Sequence, residues 1–182
     1  VGRSDTPFTG AFNGGGDEEG YTISDLLINT SDLIPVGLFG VVGKGAEIRN
    51  LRLESVDVTG NDFAGGLAGH SYGLIAGSYV TGTVTGDDFV GGLVGYNPGE
   101  ITASYASGTV TGSLNDVGGM VGYNSGKITG SYASGTVMGR NCVGGLAGVN
   151  GSDNSGGYGE ITSSYSTCAV QGTENVGGLL GW

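Results

Sequence analysis

The chain has 182 residues, 37% of them apolar, enough for one domain with a buried core. Its net charge of −11 repels nucleic-acid phosphates and anionic lipid, so neither nucleic acid nor membrane insertion is expected. No apolar run approaches the roughly 18 residues of a membrane span, and no signal-peptide pattern opens the sequence, as would also hold for a processed chain.

Residues 1–35 are the least regular part. Phe8 to Phe12 and Tyr21 to Ile28 read as strands separated by an acidic, glycine-rich loop. They are expected to form an atypical N-terminal coil that caps a stack, as terminal repeats generally do. From Val36 the sequence repeats itself through 182. The segment Val90 to Gly95 recurs as Ala64 to Gly69, Val117 to Gly122, Val143 to Gly148 and Val176 to Gly181, with a shorter form at Val36 to Gly40. The central residues Leu38, Leu67, Leu93, Met120, Leu146 and Leu179 fall 29, 26, 27, 26 and 33 residues apart. A period in this range marks a stacked architecture. The 42 glycines take fixed places in that period, which separates the chain from a low-complexity one.

Within each repeat, Ile101, Ala103 and Tyr105 alternate with Thr102 and Ser104, and the set containing the tyrosine is taken to face inward. Tyr79, Tyr105, Tyr132 and Tyr165 would then form a ladder inside the core. A Thr-Val-Thr strand follows, then a polar corner, then the Gly-Gly-Leu strand, then Asn97, Asn124 or Asn150 at a turn. No segment has helical periodicity. The expectation is an all-β fold, a parallel β-helix (β-solenoid) of about six coils, roughly 26–27 residues and three short strands each. It makes one domain over residues 1–182, with an inserted loop near 150–159, seven residues longer than its counterpart at Asn97 to Glu100. The paired glycines are expected to make room for the tyrosine rings.

The stretches Val90 to Val110 and Val117 to Val137, written Val-Gly-Gly-Leu or Met-Val-Gly-Tyr-Asn and ending Ser-Tyr-Ala-Ser-Gly-Thr-Val, resemble GLUG-motif repeats. Tyr21 to Leu26 followed by Val36 to Gly40 resembles the lead-in to such repeats. The resemblance implies a β-solenoid module of large secreted or surface-attached, adhesin-like bacterial proteins. It brings no catalytic residue and no assigned ligand.

Candidate chemistry is sparse, and no enzyme is expected. The single histidine, His70, replaces Tyr96 and Tyr123 and is expected to be exposed. Cys142 and Cys168 replace different repeat residues, which leaves both a disulfide and two separate thiols open. No cofactor is expected, except that Asp62, Asp87, Asp88 and Asp116 at the polar corners could together offer oxygens to calcium. Thr83, Thr85, Thr109 and Thr111 form an outward array of the kind that could order water, giving ice binding as the alternative function. Leu67, Leu93, Met120, Leu146, Leu179 and Trp182 are expected on an association surface, because both alternating sets of the Gly-Gly-Leu strand are apolar. Self-association end to end or side by side is the expected partnership. A host surface, carbohydrate or protein partner is left unnamed.

Overall fold

A computed structural model describes residues 1–15, 21–32, 34–152 and 158–182. It is all-β, a parallel β-solenoid of about five turns. Four sheets run the length of the stack, each built from equivalent strands of successive coils.

The coil centred on Met120 shows the course of the chain. Glu100–Thr102 lies in a sheet with Ala11–Asn13, Glu47–Arg49, Leu74–Ala76, Lys127–Thr129 and Glu160–Thr162, here called the isoleucine sheet. Tyr105–Gly112 lies in the long sheet with Thr22–Ser24, Arg52–Thr59, Tyr79–Gly86, Tyr132–Met138 and Tyr165–Ser166. Asn115–Gly118 belongs to the valine sheet, with Ala64–Gly65, Val90–Gly91, Asn141–Gly144 and Glu174–Gly177. Val121–Asn124 belongs to the asparagine sheet, with Phe39–Val42, Ala68–Ser71, Val94–Asn97 and Ala147–Asn150.

Two expectations are corrected by this course. The coil count falls from six to five because, among the described residues, the segment before Val36 supplies strands only to the isoleucine and long sheets. Each coil has four strands rather than three, because the Gly-Gly-Leu run bends between Gly91 and Val94 and splits into two.

That bend also removes the expected apolar stripe. With the chain turning at Leu93, Val90, Leu93 and Val94 all point into the interior and are fully buried. Leu67, Met120 and Leu146 are likewise 0% exposed, so they are core and not an association surface. Only Leu179 and Trp182, in the last coil, are open, at 40% and 74%.

The glycines permit this tight folding in a way the tyrosines do not explain. A Cβ on Gly92 would lie 2.4 Å from Gly119 O and 3.0 Å from Ala106 Cβ. The space left free is thus taken by the neighbouring coil's backbone and by Ala106, not by a ring.

The tyrosine ladder exists, but outside the core. Ala103 has φ 46°, in the left-handed region, which turns the chain and resets the alternation between Ile101 and Tyr105. Val80, Ala106 and Ala133 consequently point inward and the tyrosines outward. The residue aligned with Tyr79 in the preceding coil is Arg52, and Leu53 aligns with Val80.

Buried polar columns close the corners. Ser78, Ser104 and Ser131 are at most 1% exposed. The Ser78 N–H donates to Ser104 Oγ at 3.2 Å and the Ser104 N–H to Ser131 Oγ at 3.2 Å, while each hydroxyl donates to the carbonyl two residues back. These hydroxyls satisfy backbone groups where the sheet ladder is interrupted.

A second column joins the asparagines. Asn97 Nδ2 donates to Asn124 Oδ1 at 2.8 Å, and Asn124 Nδ2 donates to Asn150 Oδ1 at 2.8 Å. The column stops at Ser71, one coil earlier. Among the described residues Ser71 Oγ and Asn97 Oδ1 are both buried without a partner. Ser71→Asn should extend the ladder and stabilise the fold by about 1 kcal/mol, seen as a higher urea midpoint with an unchanged slope.

Candidate functional site

The long sheet presents the most regular outer surface. Its strands pair in parallel with every outward residue over its counterpart: Tyr79 on Tyr105, Thr81 on Ser107, Thr83 on Thr109 and Thr85 on Thr111. In the next coil Tyr132, Ser134, Thr136 and Met138 continue the four columns. Val84, Val110 and Val137 fill the interior beneath them. The threonines named from sequence therefore do share one face in register, bounded by Asp57 opposite Thr83 and by Met138 opposite Thr111. The Thr81, Ser107 and Ser134 column was not anticipated. Ser134 Oγ donates to Ser107 Oγ at 3.0 Å.

Along the edge of this face the tyrosine rings stack nearly parallel, with centroids 4.6, 4.9 and 5.1 Å apart from Tyr79 to Tyr165. Their faces are covered by one another, so edges and hydroxyls meet solvent. The Tyr79 hydroxyl donates to Glu54, and that bond, with burial second, pushes its pKa up to about 12.

A separate aromatic corner gathers Phe63, His70, Phe89 and Tyr96. Phe63 stacks on Phe89 at 4.5 Å, and the His70 ring meets Phe63 edge-on at 4.4 Å. Phe63 and Phe89 have φ of 54° and 55°, and that left-handed turn brings the Phe63 ring against His70 and Tyr96 and the Phe89 ring against Tyr123. His70 is thus half-buried rather than exposed, and Nε2 has no partner among the described residues.

Burial lowers the His70 pKa to about 4 from 6.5. The fold favours the neutral ring, so stability is complete above pH 6.5 and falls as pH drops toward 4. Discounted for residual solvent contact, the loss is about 2 kcal/mol. His70→Tyr, the residue at the same place in the next two coils, should remove this part of the acid sensitivity in thermal scans at pH 7 and pH 4.

The polar corners do not assemble the expected calcium site. Among the described residues no three His, Cys, Asp or Glu side chains come together to hold a metal. The carboxylates are instead used locally. Asp88 Oδ1 accepts the Asn115 N–H at 2.7 Å, Asp87 accepts the Ser113 hydroxyl, and Asp62 stands half-buried without joining them. Asp116 occupies the left-handed position with φ 54°, in line with Phe63, Phe89, Cys142 and Asn175.

Burial, then the charge of Asp88, raises the Asp116 pKa to about 6, while a hydrogen bond from Cys142 opposes the shift. The fold binds this proton more tightly than the unfolded chain, so stability is lost as pH rises from about 4 through 6. Asp116→Asn should raise the melting temperature at pH 8 and leave it unchanged at pH 3.5. Asn also suits the left-handed backbone, as Asn175 shows at φ 50°. Cys142 and Cys168 are free thiols. Of the inserted loop near 150–159, residues 153–157 fall outside the described residues; its base is closed by an antiparallel Ser152–Tyr158 bridge, by the Gly159 N–H donating to Gly151 O at 2.8 Å and by Asn150 Nδ2 donating to Gly159 O at 2.9 Å, and the Tyr123 hydroxyl donates to Ser152 O at 2.9 Å.

In-register columns, an interior of aliphatic and polar ladders and a patterned exterior together define a β-solenoid repeat module. The family model described as the GLUG motif matches residues 90–111 and 113–138, within the module's central coils. The chain is similar to Halomucin of Haloquadratum walsbyi, 38% identical over 81 residues, which is 44% of this chain and 1% of that protein. It is also similar to a protein of Evansella cellulosilytica named as a Gly-rich membrane protein, 40% identical over 78 residues, 41% of this chain and 9% of that protein. The chain thus spans only a small part of the length of either relative. No solved structure matches. The GLUG repeat does not define an enzyme family.

Proposed function

We propose that this chain is a non-enzymatic structural module of a secreted or cell-surface protein of bacterial type, a stiff spacer whose faces are available for adhesion. The observation that carries this reading is the continuity of the interior columns. The same positions are filled from Ile48 through Ile75, Ile101 and Ile128 to Ile161, and among the described residues no cluster of His, Cys, Asp or Glu that could hold a metal interrupts them. Such a stack resists bending because each coil is hydrogen-bonded to its neighbours over all four sheets. The Gly-rich relative is named as a membrane protein, and both relatives greatly exceed the shared stretch in length, which fits a module within a long surface protein. Antibodies raised against the module should label intact source cells or the culture medium. Antigen found only after lysis would contradict the reading.

Ice binding is the second reading, favoured by the in-register threonine columns on one sheet. It predicts thermal hysteresis that is lost in Thr109→Tyr, since a ring would break the array.

A further inference from the structure

The charges of this acidic chain are distributed unevenly. The long-sheet strands Tyr79–Gly86, Tyr105–Gly112, Tyr132–Met138, Tyr165–Ser166 and Ala169–Gln171 contain no Asp, Glu, Lys or Arg. One coil earlier, Arg52, Glu54 and Asp57 restore charge and mark the border of the neutral area. We propose that this uncharged face is an interface between two copies of the module, lying side by side with their long sheets in contact.

Electrostatic repulsion selects both the face and the occupant. Two chains each carrying −11 repel one another through most approaches. Contact through the neutral face buries no charge and keeps the acidic corners apart, so it avoids the cost of desolvating unpaired ions. The composition also fits, since contact cores are poor in charge and rich in Tyr and Met. Here Tyr105 and its stacked neighbours border the face and Met138 lies within it. Columns repeating at the coil spacing meet the same columns on a two-fold-related copy, which makes the contact self-complementary.

Uncharged strands of 8, 8 and 7 residues, with two short strands of 2 and 3 in the last coil, give about 450 Å² per copy at standard strand spacings, or about 900 Å² for a pair. That lies at the lower limit for a specific interface, so a weak dimer, with Kd on the order of 10–100 μM, is expected. This inference stands apart from the location of the module.

Sedimentation equilibrium tests it. The wild-type chain should dimerise with concentration, and more tightly in higher salt, because salt screens the repulsion between the acidic remainders. Thr109→Glu should weaken the dimer at least tenfold, whereas Thr102→Glu, on the isoleucine sheet, adds the same charge without that effect. Should Thr109→Glu fail to give the wild-type circular dichroism spectrum, Thr83→Glu at the exposed member of the same column replaces it. The proposal is overturned by a wild-type chain that stays monomeric at every concentration and salt, or by equal weakening from Thr102→Glu. Thermal hysteresis from a strictly monomeric chain would also overturn it and assign the face to ice.

Discussion

Gly118→Ala should leave the chain unable to fold at 25 °C, at a cost exceeding about 4 kcal/mol. A Cβ at Gly118 would stand 2.7 Å from Gly148 N and 2.8 Å from Ala147 Cα, and closer still to Val121 O. All three are backbone atoms, held by pairing with adjacent coils, so none can move aside like a side-chain tip. The close approach arises because the chain bends between Gly118 and Val121, from one sheet into the next, and its own carbonyl folds over the glycine. Gly130→Ala provides the comparison. Nothing lies within 4 Å of its Cβ, so only the left-handed φ of 58° opposes the change. Ala103 tolerates that conformation at the same place one coil earlier, so Gly130→Ala should cost about 1 kcal/mol. Soluble yield and circular dichroism separate the two variants, and near-equal stability would refute this account of the glycines.

Asn124→Leu should destabilise the fold by about 3–5 kcal/mol although it keeps the same branched side-chain skeleton. Asn124 is fully buried and is the middle rung of its column. Replacing it leaves Asn97 Nδ2 without an acceptor, Asn150 Oδ1 without its donor and Gly126 O without its 3.2 Å bond. Asn97 Oδ1 already has no partner among the described residues, so the Asn97 amide would lose its side-chain partner on the ladder side as well. A urea midpoint within the range of ordinary surface substitutions would show that the column contributes little.

Much of the architecture was legible because columns repeat chemistry. Residues a fixed step apart in the chain lie over one another, as Val90 over Val117 and Tyr96 over Tyr123. The repeated Asn and Thr positions likewise form in-register columns. Alternation within a coil was a poorer guide. Period-two arguments assume an extended strand, and the left-handed residues at Ala103 and Asp116 break that assumption at the corners. The tyrosine ladder was therefore recognised but assigned to the wrong side, and the Gly-Gly-Leu run was taken as one strand instead of two.

The candidate sites were less legible for a related reason. A carboxylate column at a corner resembles a metal cage in sequence, yet in space Asp87 and Asp88 spend their oxygens on the next coil's Ser113 and Asn115. His70 looked exposed because its counterparts are tyrosines, while the ring that covers it, Phe63, belongs to a different part of the coil. The signal that could have revealed this is the recurrence of phenylalanine at Phe63 and Phe89, both just before a Gly-Gly-Leu run. The neutral patch was visible in the repeated Ser-Gly-Thr-Val segments, but its continuity required the register.

Direct stacking of successive coils is the claim on which the ladders, the buried glycines and the neutral face all depend. Nuclear Overhauser contacts in the intact chain test it most simply. The account predicts backbone contacts linking Thr83 to Thr109 and Thr109 to Thr136, with side-chain contacts linking Ile101 to Ile128. Contacts displaced by one residue, or helical contacts within Tyr105 to Gly112, would contradict it.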